Sequence, residues 1–203
     1  MEFFGFQIDV SETVYPPSED SELAFRTFLK CMKMIKNKDI KILDMGTGSG
    51  VLGLLAASQD NVSDVVFADV NNEAITMAMH NFDVNREKIK SKCSFVNSDL
   101  FSNIEGFFDI ILFNAPYLIS SKEDGNLHTA ISGGLSGVEL TIKFLTQSLQ
   151  HLNHGSYAII IASSLSDLNN LKRTILSMPF LLLDERKLHF FFEDIVALLL
   201  VRS

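Results

Sequence analysis

An α/β fold built on a mostly parallel, seven-stranded sheet with helices on both faces is predicted by three features of this 203-residue sequence. Segments of helical and strand periodicity alternate from about residue 19 to the end. Some strand segments are continuous apolar runs, the pattern of strands covered on both faces. A glycine cluster, Gly46-Thr47-Gly48-Ser49-Gly50, falls between a strand and a helix, where ligands bind in such sheets.

Residues 19–36 have helical spacing, with Leu23, Phe25, Phe28 and Leu29 apolar and Ser18 placed as N-cap. Residues 40–44 form a short strand running into the glycines, and 51–58 the helix that follows. The run Val65, Val66, Phe67, Ala68 marks a strand over 64–70. A helix is expected over 72–81, then strands over 93–96 and 108–113. A helix over 138–152, a strand over 156–162 and a helix over 167–176 continue the alternation. Strands over 180–183 and 195–201 close it, and with no helix between them they are expected as an antiparallel pair at an edge. Phe190-Phe191-Phe192 reads as strand packing on a helix, and His151 and His154 as partners of a helix end before Gly155. No repeat or Pro/Gly-rich linker interrupts the chain, so one domain over 1–203 is expected.

Apolar residues make up 47% of the chain, enough to build a core rather than a disordered coil. The 17 basic and 25 acidic side chains leave a net charge of −8, which disfavours sequence-blind binding to nucleic acid or an anionic membrane surface. No apolar stretch approaches the roughly 20 residues of a membrane span. No secretory leader is visible, and a cytoplasmic location is expected. Cys31 and Cys93 lie far apart and read as buried thiols. The five histidines show no metal-ligand spacing, so no metal is expected.

Two cofactor classes compete for the glycine turn. Gly48, Gly50 and Gly53 spell G-x-G-x-x-G, with Asp69 about 20 residues on, as in dinucleotide sites. Asp69 equally suits the ribose hydroxyls of S-adenosylmethionine. Asp44, at the strand end, would repel a pyrophosphate and attract an ammonium, which favours the methyl donor. Absence of G-K-[ST] after the glycines excludes a phosphate-binding loop for nucleoside triphosphates. Asp99 and Leu100 follow the next strand and could take an adenine, the acid by its amino group and the leucine by packing.

Asn114-Ala115-Pro116-Tyr117 follows the strand over 108–113, at the same sheet end. Methylating a planar NH₂ group is difficult because its lone pair is delocalised. The side-chain oxygen of Asn114 and the carbonyl of Ala115 are two acceptors that could hold both N–H bonds. They would bind the nitrogen more strongly as it becomes positive. Pro116 biases Ala115 away from helical backbone, and Tyr117 could wall one face of the amide.

These residues resemble the HemK-type class I S-adenosylmethionine-dependent methyltransferases, in the short branch without an extra amino-terminal helical domain. The resemblance runs from about residue 8 to the end. It rests on Val14-Tyr15-Pro16-Pro17-Ser18-Glu19-Asp20-Ser21, the turn from Asp44 to Gly50, Asp69, Ser98-Asp99-Leu100, Asn114 to Tyr117, and Gly133-Gly134 with Gly137. It implies a Rossmann-like fold and methylation of the glutamine in the Gly-Gly-Gln motif of a peptide-chain release factor. By position it implies that Tyr15 borders the substrate pocket and contributes with Ser21 to the cofactor site. Asp44, Gly46 and Gly48 would hold the methionine end, Asp69 the ribose, Asp99 and Leu100 the adenine, and Asn114 the substrate amide. Ala115 departs from the usual Asn-Pro-Pro-Tyr; its carbonyl survives, but proline's fixed φ is lost. The family also implies a small zinc-ribbon activator pairing with a sheet edge, for which the strand at 65–70 is the expected place. Methylation of RNA or DNA base amino groups is the competing activity, since it poses the same planar-nitrogen problem. A non-catalytic module and a nicotinamide-dependent reductase are the remaining readings.

Overall fold

The computed structural model describes residues 1–114, 136–190 and 192–203. A small amino-terminal hairpin of β1 (Glu2–Phe3) and β2 (Phe6–Gln7) precedes α1 (Glu19–Met34). Then come β3 (Ile40–Met45), α2 (Val51–Ala57), β4 (Val62–Asp69), α3 (Asn72–Val84), β5 (Lys92–Asn97) and β6 (Phe108–Phe113). The remainder is α4 (Glu139–Ser148), β7 (Leu152–Ser163), α5 (Leu168–Ser177), β8 (Phe180–Phe190) and β9 (Glu193–Arg202).

Seven strands form one sheet in the order β5-β4-β3-β6-β7-β9-β8, parallel from β5 to β7 and antiparallel across β7-β9-β8. The period-2 alternation of strand side chains divides the core in two. Ile42, Phe67, Ile110, Leu112 and Ile159 face α1 and α2, whereas Leu43, Met45, Ile111, Phe113 and Ile160 face α4 and α5. Both faces are covered, which is why the central strands are apolar without a break. Burial pushes the Cys31 thiol up to about 12 and that of Cys93 to about 11, so both remain protonated hydrophobes.

Four expectations are corrected. The strand at 65–70 offers no free edge, because β4 is hydrogen-bonded to β3 on one side and β5 on the other. The fourth helix stops at Ser148 rather than 152, and His154-Gly155 lies within β7, not at a helix end. Residues between Leu152, opposite Phe108, and Tyr157, opposite Ile110, are absorbed in a register shift, and Gly155 turns there at φ 83°. His151 instead meets the Gly106 carbonyl at 3.0 Å through Nδ1 and stacks on Phe101 with centroids 4.7 Å apart. Finally, Phe190 ends β8 and packs on the core, but Phe192 is 91% exposed at the β8–β9 turn. Phe191 lies outside the described residues. β8 is also longer than predicted, since Asp184, Glu185, Arg186 and Lys187 are all charged along an edge and leave no apolar signal.

Candidate active site

Parallel pairing brings the carboxyl ends of β3, β4, β5 and β6 to one edge. The register sets Met45 opposite both Ala68 and Phe113, so Gly46, Asp69 and Asn114 are the next residues on three neighbouring strands. Asp69 is opposite Asn97, and Asp99 follows two residues later. The crevice predicted from the sequence is therefore assembled by register alone.

The glycine turn is tightly determined. Thr47 N–H donates to the Ala68 carbonyl at 3.0 Å, and Gly50 N–H to the Thr47 carbonyl at 2.8 Å. Gly50 caps α2 at φ 82°, in the left-handed region, and a Cβ there would lie 3.0 Å from the Ala78 Cβ. Gly53 packs closer still, since a Cβ would lie 2.3 Å from the Phe67 ring. Gly46 and Gly48 face more open space, the nearest groups to an added Cβ being the Phe113 ring at 3.7 Å and Val14 at 3.9 Å. Two of the glycines thus serve packing, and two leave backbone accessible to a ligand.

The two carboxylates beside this turn differ. Asp44 is 2% exposed and points beneath the turn, where Oδ2 accepts from Thr47 Oγ1 at 2.6 Å and from Gly53 N–H at 2.9 Å. Burial raises its pKa to about 7, opposed by those two hydrogen bonds and reinforced by the charge of Asp69. Asp69 is half-buried at the strand end, with Oδ2 accepting from Gly48 N–H and Oδ1 from Asn71 N–H, both at 2.9 Å. Its pKa also rises through burial, against the N–H groups it accepts from.

Asp99 is exposed, with Lys143 Nζ at 3.6 Å. Leu100 takes φ 47°, unusual for a side chain with a Cβ, and is buried in the second core cluster. Ser98 holds that turn through its hydroxyl, donating to the Leu100 carbonyl at 2.6 Å and accepting from Asn103 N–H at 3.0 Å. Tyr15 is 67% exposed ahead of α1, whereas Ser21 is buried with its hydroxyl on Asp20.

At the end of β6, Asn114 Nδ2 donates to Asp20 Oδ2 at 3.2 Å. Asn114 Oδ1 is buried and has no hydrogen-bond partner among the described residues. A buried acceptor without a partner costs about 1–3 kcal/mol, and such an atom is where a ligand's donor is accommodated. Ala115, Pro116, Tyr117, His128, Gly133 and Gly134 lie outside the described residues.

Reading the sequence quoted Asp20 and Thr47 within motifs but gave them no role, and it passed over Asn81 and Asn85. Asn81 and Asn85 are buried at the end of α3, and their amides bind the amino-terminal segment. Asn85 accepts from Gln7 N–H and donates to its carbonyl, and Asn81 does the same with Asp9. Asn81 Nδ2 also reaches the Ser49 carbonyl at 2.8 Å, tying that segment to the glycine turn. The signal was present: Ala74, Ala78, Asn81 and Asn85 follow core helical spacing, which makes the asparagines buried polar residues in need of partners.

These residues fit S-adenosylmethionine. Its ammonium and sulfonium are cations and its ribose carries hydroxyl donors, all suited to the carboxylates of Asp44 and Asp69. A pyrophosphate would meet the same two acids, which speaks against a dinucleotide. Among the described residues no cluster of three or more His, Cys, Asp or Glu is placed to hold a metal ion. Nor is any described helix long and apolar enough to cross a membrane.

Comparison with known proteins agrees with this geometry. The family model described as methyltransferase small domain matches residues 20–180. A relative named as a putative protein N5-glutamine methyltransferase, from Methanocaldococcus jannaschii, is 36% identical over 169 residues, 82% of this chain and 80% of its own length. A release factor glutamine methyltransferase of Rhodopirellula baltica is 29% identical over 174 residues, 78% of this chain but 57% of its own length. Among solved structures, a chain of the E. cuniculi Mtq2–Trm112 complex, named as responsible for methylation of the termination factor eRF1, superposes with a TM-score of 0.65. That match is 19% identical and covers 94% of this chain and 99% of the other, and at such identity it shows the fold. The chain belongs to the methyltransferase small domain family, in its HemK-type branch of glutamine N5-methyltransferases.

Proposed function

We propose that the chain methylates the side-chain amide nitrogen of a glutamine, the one in the Gly-Gly-Gln motif of a peptide-chain release factor. The observation that carries this is the buried Oδ1 of Asn114, which has no partner among the described residues, beside an acid-lined glycine turn. An amide NH₂ offers the donor that this oxygen lacks. The names of the relatives support glutamine as the acceptor and release factors as the protein that bears it.

S-adenosylmethionine, when bound, supplies an electrophilic methyl carbon. In this reading Asp69 accepts from the ribose hydroxyls, and Gly46 and Gly48 leave backbone free along the methionine chain. Asp44, already occupied by Thr47 and Gly53, acts on the donor through its charge rather than by a full set of direct bonds. Tyr15 and Ser21 close over the cofactor from α1 and the segment before it. Asp99 and Leu100 border the adenine, and Lys143, weakly paired to the exposed Asp99, yields readily to it. Asn114 and the carbonyl of Ala115 hold the glutamine NH₂, while Pro116 and Tyr117 shape its slot. As nitrogen takes the methyl, whose bond to sulfur breaks to leave a neutral thioether, it becomes positive, is held more strongly by those oxygens, and sheds one proton to water.

For a partner, we propose a small zinc-ribbon activator on the outer edge of β5, at the opposite end of the sheet from β8. Charged residues from Asp184 to Lys187 guard β8, whereas α3 beside β5 exposes Met79 and Val84. The complex in which a similar fold is paired with Trm112 supports this. The reading places the protein in the cytoplasm, with the translation machinery.

Incubating the chain, alone and with the activator, with methyl-labelled S-adenosylmethionine and either a release factor or bulk nucleic acid tests the proposal. Label in the factor's glutamine is the expected result. Label in nucleic acid with none in protein overturns it in favour of base amino-methylation.

A further inference from the structure

We infer that Asp20 is a positioning residue that fixes which end of the Asn114 amide faces the acceptor. This rests on the proposed role of Asn114. An asparagine amide is nearly symmetric in shape, and only one orientation presents an acceptor to a substrate NH₂. Something must break the symmetry.

Asp20 lies in the first turn of α1, is 5% exposed, and reaches Asn114 across 94 residues of sequence. Its Oδ1 accepts from Ser21 N–H at 2.5 Å, Ser18 Oγ at 2.7 Å and Ser21 Oγ at 3.1 Å. Its Oδ2 accepts from Asn114 Nδ2. An ionised carboxylate only accepts, so it selects the NH₂ end of Asn114 and turns Oδ1 away from itself. The Oδ1 so displaced is the buried oxygen that has no partner among the described residues. The block that covers the cofactor thereby also sets the polarity of the acceptor pocket.

Asp20→Asn separates this role from simple support of the helix. The substituted amide has one oxygen, and the fixed Ser21 N–H claims it, leaving its NH₂ toward Asn114. Asn114 then flips and offers NH₂ to the substrate's NH₂. The expected result is a fall in kcat of about tenfold to a hundredfold, with donor affinity within about twofold of wild type. Asn114→Asp alone sets two carboxylates against each other and loses transfer. The double variant Asp20→Asn with Asn114→Asp restores a donor facing an acceptor, and transfer recovers at least about tenfold over Asn114→Asp alone. Wild-type kcat in Asp20→Asn, or no recovery in the double variant, overturns the inference.

A readout without activity is the side-chain ¹⁵N–H₂ resonance of Asn114, identified by its loss in Asn114→Asp. It shifts in Asp20→Asn if the carboxylate holds that amide, and an unchanged resonance overturns the pairing. Should wild type transfer no methyl to a release factor, the proposed function fails while the resonance still decides the role of Asp20.

Discussion

The glycine turn after β3 and the end of β6 lie side by side at one sheet edge, yet they are built on opposite terms. At the turn, Asp44, Thr47, Asp69 and Asn81 each place a hydrogen bond on the turn itself, Gly50 sits tightly against Ala78, and Gly53 leaves no room for a methyl group beside Phe67. At the end of β6, Asn114 is held by its nitrogen, and its oxygen has no partner among the described residues. One region spends its hydrogen bonds on shape. The other leaves an acceptor open, and under the proposed function the difference separates a turn that holds the cofactor from an oxygen that orients the reacting nitrogen.

The strongest way to break this comparison is Asn114→Ala. Transfer should fall by about 10²–10³, the range for losing one preorganised group at a reacting atom, while calorimetry finds donor binding intact. Loss of donor binding along with activity would place Asn114 in the turn's structural economy. Next is Gly53→Ala, whose methyl would have to displace the buried Phe67 ring. Urea unfolding should show a loss of about 1–3 kcal/mol, the range for overpacking a core.

A third effect concerns the acid beneath the turn. Asp44 has a folded-state pKa of about 7, above the ordinary carboxylate value of 3.8. Its contribution to ligand-free stability is therefore fully present below about pH 4 and is lost as pH rises through about 7. A cationic donor prefers the ionised form, so its affinity should run the other way, weakening by up to roughly tenfold per unit below about pH 7. Titration calorimetry between about pH 5.5 and 8 reads the second trend, and Asp44→Asn should flatten it. The smallest effect belongs to neither region: breaking the exposed Glu22–Arg26 pair on α1 should cost at most about 0.5 kcal/mol in the same urea titration.

Much of this is legible in the order of residues alone. The alternation of periods fixes the α/β class, and strand-glycine-helix spacing locates the turn, because a residue's neighbours in sequence dictate local backbone. The antiparallel closing pair follows from the missing helix between its strands. The errors are equally physical. The activator's expected edge fell on β4 because apolar content marks burial, not which neighbours occupy a strand's hydrogen bonds. The helix predicted to 152 overran because Leu145, Leu149 and Leu152 keep helical spacing, and only the pairing of Leu152 with Phe108 of β6 makes Leu152 strand.

The candidate residues divide along the same line. Asp44, Asp69, Asp99 and Asn114 each follow or end a strand, so parallel connectivity alone sends them to one edge. What connectivity leaves open is which atoms meet. Asn81 and Asn85 stand on the core spacing of α3, but only the fold shows that the amino-terminal segment supplies their partners. Asp20 looks like a helix-start acid until α1 docks over the sheet and sets it against Asn114. The sequence by itself determined the fold class, the place of the turn and the residue types at its rim, since those follow from periodicity and from order along the chain. Only the tertiary structure decided that a carboxylate in one segment orients an amide 94 residues away, because hydrogen-bond direction depends on distances that no local pattern encodes.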